Sequence, residues 1–173
     1  MTGKYKILIL LVIILIVGIV GYYTYEEYNV SKTQIYLSAS LQQKNTANDY
    51  LNQANAYENN NDYTNAIIML QKSTDEISKA LENDNNALSY SNGVYKDYLN
   101  NDILLLQTIS KLIEYKAYLD HYYKNDLNPS QETVNPSTLN PYITNLENDI
   151  SKYKDKENQI ISANPDKFRF LKQ

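Results

Sequence analysis

Ile7 to Tyr23 is an unbroken apolar run, and Thr24 is the first polar residue after it. A bilayer core about 30 Å thick takes roughly 20 residues of helix. The stretch from Tyr5 through Tyr25 meets that length. A secretory signal peptide has a shorter apolar core, about 7–15 residues, and then a small-residue cleavage site. Here Gly21-Tyr22-Tyr23-Thr24-Tyr25-Glu26 follows, with no A-x-A pattern. Residues 5–27 therefore read as an uncleaved signal-anchor, a transmembrane helix. Lys4 and Lys6 precede it, and Glu26 and Glu27 follow it. That asymmetry predicts a cytoplasmic tip of residues 1–4 and an extracytoplasmic chain from residue 28, in a single-pass protein of the cell membrane. Tyr5 at one edge and Tyr22, Tyr23, Tyr25 and Tyr28 at the other suit the headgroup layer.

Beyond the anchor, apolar residues recur at helical spacing, which predicts an all-α domain. Leu37, Leu41, Ala47, Leu51, Ala54 and Tyr57 line one face of a helix over about 31–58, which continues from the span. Asn59-Asn60-Asn61 ends it, because asparagine side chains compete for backbone hydrogen bonds. Asp62 is the expected N-cap of a helix over about 62–99, in which Tyr63, Ile67, Leu70, Thr74, Ile77, Leu81, Leu88, Tyr95 and Tyr98 keep a four–three spacing. Asp84 and Ser91 interrupt that seam with polar steps. A break at 83–86 is the alternative, with Gly93 as a bend. Asn100-Asn101-Asp102 reads as a corner before a third helix, 102–125, the most apolar of the outer segments. The three Asn-Pro steps in "NPSQETVNPSTLNP" predict a loop over 126–140, since the residue before proline avoids the α region. Asn140 and Pro141 then start a fourth helix, 141–163.

The expected architecture is an N-terminal transmembrane helix followed by an elongated antiparallel helical bundle of three to four helices. Its packing is coiled-coil-like, over residues 28–164. The tail, 165–173, holds the only two phenylalanines, Phe168 and Phe170, and is expected to pack back onto the bundle. A short exposed binding peptide is the other reading.

Tyr50 to Ile77 adds a local pattern. Tyr50, Ala54 and Tyr57 give an aromatic–small–aromatic series; Ala66, Leu70 and Ser73 give small–bulky–small. With "NNDYTNAI" between them, the stretch resembles one degenerate tetratricopeptide-like hairpin. Gln53 departs from the pattern, the closing proline is missing, and no second copy follows at a 34-residue step. The resemblance implies a peptide-binding scaffold.

Charge narrows the partners. From Ser31 to Gln173 the chain has 14 lysines and arginines against 18 acidic residues, and Arg169 is the only arginine. Nucleic-acid binding needs a basic footprint, so it is not expected. The partners expected are the lipid bilayer and either another protein or further copies of the chain. With no cysteine and one histidine, zinc would have to rely on carboxylates almost alone. "ENDNN" and "NNND" place oxygen ligands close together but lack the glycine and terminal glutamate of an EF-hand loop. No cofactor is expected. The 23 asparagines fit the codon bias of an AT-rich genome.

Three features have a sharper reading beside a plain one. Asn29-Val30-Ser31 is the single glycosylation sequon, with Asn29 as acceptor, close to the membrane. Tyr115, Tyr118 and Tyr122 share a helix face, either as an aromatic contact platform or as half-buried core with hydroxyls in water. His121, beside Asp120, needs a nucleophile and an orienting carboxylate to act as a base; otherwise it is a solvated residue suited to a helix C-terminus. No catalytic residue stands out. The chain reads as a non-catalytic membrane-anchored interaction or scaffold domain. The alternatives are a sensor-like ligand-binding bundle acting through a membrane partner and, last, an enzyme.

Overall fold

A computed structural model describes residues 3–125 and 136–172, with side chains over 11–125 and 136–171. Four helices and a short 3-10 turn follow one another: α1 (Gly3–Asn59), α2 (Tyr63–Leu88), α3 (Gly93–Lys124), α4 (Pro136–Ala163) and η1 (Arg169–Lys172). Each helix packs on the next in the chain, and η1 returns to α1. The all-α expectation holds, as a long apolar N-terminal helix followed by packed helices.

α1 is one unbroken helix of 57 residues. Its two halves differ because their side chains differ. Leu11 to Val17, Ile19 and Val20 are all about half exposed, with no protein neighbour covering them. Among the described residues this is the one helix long and apolar enough to cross a membrane. From Thr33 onward the helix instead acquires a buried seam. Thr33, Leu37, Ser40, Ala47 and Ala54 are buried, with Lys44 and Leu51 filling the remaining four–three steps.

α2 answers with Ala66, Leu70, Ser73, Ile77, Ala80, Asp84 and Ala87, again at four–three spacing. One position in every heptad is Ala or Ser on both helices: 40, 47 and 54 on α1; 66, 73, 80 and 87 on α2. Small side chains let the two backbones approach closely. The approach is near enough for the Ser73 hydroxyl to donate to the α1 carbonyl of Ala47 at 2.9 Å. Larger residues fill the space toward α3, where Leu70, Ile77, Leu106 and Ile113 form one apolar cluster.

The α1–α2 corner forms as its residues dictate. Asn61 takes φ 58°, a left-handed conformation that asparagine tolerates better than most residues. Asp62 caps α2 by accepting from the Asn65 backbone N–H at 3.2 Å.

The helix boundaries correct the sequence reading in three places. The helix over 62–99 is two helices, parted at Ser89–Asn92 and not at 83–86. Gly93 follows with φ +49°, a backbone shape that glycine adopts without a Cβ penalty. The 83–86 run stays helical with Asp84 buried in the bundle and two of its asparagines bonded back to their own helix. Asn83 and Asn85 donate to the carbonyls of Lys79 and Leu81 at 3.1 and 2.7 Å. Asn100-Asn101-Asp102 is no corner but lies inside α3, where Asn101 and Asp102 are buried and Asn101 donates to the Tyr153 carbonyl at 2.8 Å. Finally, α4 begins at Pro136, so residues 136–140 are helical and Pro141 lies inside the helix. Pro136 at the first position loses only an orphan N–H, and Pro141 removes one bond near the start. The rest of the expected loop, 126–135, lies outside the described residues.

The tail packs back, as expected. Phe168 is fully buried between the rings of Tyr95 and Tyr98, with centroids at 5.3 and 5.1 Å. Tyr95 donates to the Lys167 carbonyl at 2.8 Å and accepts from the Gln34 amide at 3.0 Å. One ring thus ties α1, α3 and the tail together.

Candidate functional site

Four charged side chains, one from each helix, meet inside the bundle. They are Lys44 on α1, Asp84 on α2, Asp102 on α3 and Glu157 on α4. Each stands where a seam calls for an apolar residue. Lys44 is seven residues from both Leu37 and Leu51, Asp84 seven from Ile77, Asp102 seven from Tyr95 and Ile109, and Glu157 seven from Ile150. The helical repeat that buries the core therefore buries these charges too.

Lys44 donates to Asp102 Oδ2 at 2.5 Å, and Asp102 has no exposed surface. Burial alone would lower the lysine's pKa. The carboxylates of Asp102, Asp84 and Glu157 outweigh it and hold Lys44 above the usual lysine value, so it stays charged. Asp84 and Glu157 move the other way. Burial first, and the negative charge of Asp102 second, push each up to about 8. At neutral pH both are therefore mostly protonated, and a protonated carboxyl can donate to Asp102. Tyr98, buried beside it, is held well above the usual tyrosine pKa by burial and then by Asp102.

Donors are scarce here. Both oxygens of Asp84, Oδ1 of Asp102, Oε1 of Glu157 and the Ser40 hydroxyl are buried without a protein hydrogen-bond partner. The Ser40 hydroxyl is near enough to Asp84 to favour its charged form, without closing to a hydrogen bond.

Next to the cluster lies a cavity of about 540 Å³ lined mainly by α1, α3 and α4, with Ile77 of α2 and Leu171 of η1 also on its wall. Its walls are mainly apolar, with Leu41, Leu51, Ile109, Leu112 and Ile150 among them. Lys44, Tyr98 and Glu157 supply its polar end, and Asn45, Asn48 and Lys154 also border it. Volume and lining fall in the range typical of small-molecule sites.

A second charged group sits near the α1–α2 corner. Lys116 donates to Glu58 Oε2 at 3.1 Å and also to the Asn55 side chain. Asp120, 3% exposed, is pushed up to about 7, by burial first and then by the charge of Glu58.

The residues singled out from sequence fall elsewhere. Tyr115 and Tyr118 are half-buried on α3 and Tyr122 is exposed. Tyr123 stacks on Tyr63 at 5.5 Å and meets Tyr122 edge-on at 5.6 Å. His121 is half-buried in the last turn of α3, where a cation suits the helix end. Asn29 lies within α1, and its carbonyl accepts from the Thr33 hydroxyl at 2.9 Å. None of these borders the central cavity. Among the described residues, no group of three or more His, Cys, Asp or Glu side chains is arranged to hold a metal ion.

The chain matches no protein-family model, no curated protein and no solved structure. The tetratricopeptide resemblance thus rests on the Tyr50–Ile77 hairpin alone, in which Ala54, Ala66, Leu70 and Ser73 are buried and Tyr50 and Tyr57 half-buried.

Proposed function

We propose that this is a single-pass membrane protein whose helical domain works outside the cell membrane as a non-catalytic binding module. One observation carries the reading: α1 runs without a break from the exposed apolar segment into the seam of the bundle. Such a helix is at once an anchor and a rigid stalk. At 1.5 Å per residue, Lys44 stands about 28 Å beyond Tyr25, well clear of the headgroups. Lys4 and Lys6 favour a cytoplasmic N-terminus. A second reading, the ligand-binding bundle that signals through a membrane partner, draws support from the apolar cavity with its charged end.

Fractionation with protease protection tests the first reading. Carbonate washing should leave the full-length chain in the membrane fraction. External protease should remove a C-terminal tag and spare an N-terminal one. Release of a shortened chain starting near Tyr23 would overturn the anchor, and the reverse protection pattern would overturn the orientation. Crosslinking from the bundle in native membranes then distinguishes a heterologous partner from self-association.

A further inference from the structure

We propose that the slot between α1 and α4 binds a single-chain amphiphile with an anionic head, a fatty carboxylate or a monoalkyl phosphate. The head sits at the mouth, against Lys154 of α4 and Asn45 and Asn48 of α1. The chain lies inside, along Leu51, Ile109, Leu112 and Ile150. The proposal rests on the reading of the domain as a binding module and does not depend on the anchor.

The slot exists because α4 packs on α3 and leaves a gap along α1 from Leu41 to Leu51. Leu51, Ile109, Leu112 and Ile150 stand at seam positions, yet each is only half-buried. Asp102 marks the level of the charged cluster on α3, and Leu112 stands ten residues further on, about 15 Å of helix. That length takes an extended alkyl chain, and about 540 Å³ gives it room. Covering these half-exposed walls supplies the apolar part of the affinity.

The sign of the head follows from the border of the cavity. Two lysines, Lys44 and Lys154, border it against one carboxyl group, Glu157. Burial, and then the neighbouring Asp102, push Glu157 up to about 8, so at neutral pH it is mostly protonated and can donate. Lys44 already donates to Asp102 at 2.5 Å. Lys154 is not so engaged. Among the described residues its ammonium has no ion-pair or hydrogen-bond partner, and neither do the side chains of Asn45 and Asn48. All three are exposed at the mouth. A cationic head would meet two lysines there. A neutral molecule would fill the slot and leave the three donors to water. An anionic head is matched by all of them.

Binding is linked to protons at the same wall. Glu157 faces Lys44 from α1, Asp84 from α2, and Asp102 and Tyr98 from α3, with Lys154 one turn away on α4. Lys44 and Tyr98, both raised, keep their charge state across the neutral range. Glu157 and Asp84 do not, since burial raises both to about 8. Below that range they are neutral; above it they are negative and repel an anionic head. The affinity of an anion should therefore fall as pH rises through about 8.

The test uses the full chain in lipid nanodiscs, with isoleucine methyl NMR reporting on Ile109, Ile150 and Ile161 in the cavity wall. Empty nanodiscs correct for probe taken up by the lipid. The probes are octanoate, octyl phosphate, octanol and octyltrimethylammonium. At least one of the two anions should shift these methyls, and the tighter of them names the head group. It should bind about fivefold more tightly than octanol or the ammonium probe near neutral pH. Octanoate should weaken about tenfold between about pH 7 and about pH 9, and octanol hardly at all. Lys154→Gln should cost the anion about fivefold and leave octanol unchanged, whereas Lys156→Gln, exposed but away from the cavity, should change neither. Octanol or the ammonium probe binding as tightly as both anions overturns the proposal. So does anion binding that is unchanged in K154Q, or reduced as much in K156Q. Absence of any shift at saturating anion overturns it too. If K154Q fails to fold, the native chain decides: an octanoate affinity that is flat or rises with pH is the negative result. Failure here leaves the anchor and the binding module standing, because protease protection and crosslinking measure those separately.

Discussion

Two ion pairs bridge α1 and α3 in the same register, two heptads apart, with their charges exchanged. Lys44 on α1 meets Asp102 on α3; fourteen residues on, Glu58 on α1 meets Lys116 on α3. Each has surplus carboxyl groups beside it, Asp84 and Glu157 at the first and Asp120 at the second. Their surroundings differ. α2 and α4 close over the first, where Asp102 is fully buried, while Lys116 and Glu58 each keep 24% of their side-chain surface. The same chemical pair is thus a core element in one place and near-surface trim in the other. Burial makes the difference, because desolvation magnifies both the attraction and the cost of losing it.

The largest expected effect comes from removing the lysine of the buried pair. Lys44→Met leaves the buried Asp102 carboxyl without its partner. The loss should be about 3–5 kcal/mol. Urea unfolding of the full chain in nanodiscs, followed by far-UV circular dichroism, measures it. A loss below about 1 kcal/mol would place the pair in the surface class after all.

A pH titration of the same unfolding should show the next effect. Asp84 and Glu157 have folded pKa values raised from 3.8 and 4.5 to about 8. The folded state therefore holds these protons more tightly than the unfolded chain does. Their favourable contribution is complete below about pH 4 and is lost as pH rises through about 8, by up to about 1.4 kcal/mol per unit for each group. Asp84→Asn should flatten this decline and leave the variant more stable than the native chain above about pH 8. A native stability that climbs between about pH 5 and pH 8 would contradict the assignment.

The second cluster should repeat the pattern in weaker form. Asp120 is raised from 3.8 to about 7, so its contribution fades as pH rises from about 4 through about 7. Asp120→Asn should remove that decline while leaving the one centred near pH 8 intact. If D120N also abolishes the higher transition, the two clusters are coupled and the comparison between them fails.

Much of this was legible in the chain, and the part that was not is instructive. The apolar run, the absence of strands among the described residues, the Asn59–Asp62 corner and the four–three seams follow from periodicity and local backbone preferences. The charged core does not. Asp84 was visible as a polar interruption of a seam, but a polar step reads equally well as a weak point in the packing. Asn101 and Asp102 look like turn formers, and only partners from α4 and α1 turn them into core residues. Glu157 sits in "SKYKDKEN", which reads as a solvated charge run. Its position seven residues after Ile150 was the signal, and it gains meaning only once three other helices offer charges at the same level. Local preference is overridden where long-range contacts satisfy the group.

The smallest expected effect closes the comparison. Lys116→Met removes the lysine that matches Lys44 in register, but from a pair still reached by solvent. Exposed pairs gain little, since water screens the attraction and two long side chains must be ordered. The loss should be about 0.2–1 kcal/mol and should shrink in high salt, whereas the Lys44→Met loss should hardly respond to salt. The Asn55 contact is a charge-assisted hydrogen bond from the same ammonium, so it is lost with Lys116 and Asn55→Ala in the K116M background should cost little more. A loss at Lys116 as large as that at Lys44, from a pair that keeps 24% of its side-chain surface, would mean that register, and not burial, sets the strength of both pairs.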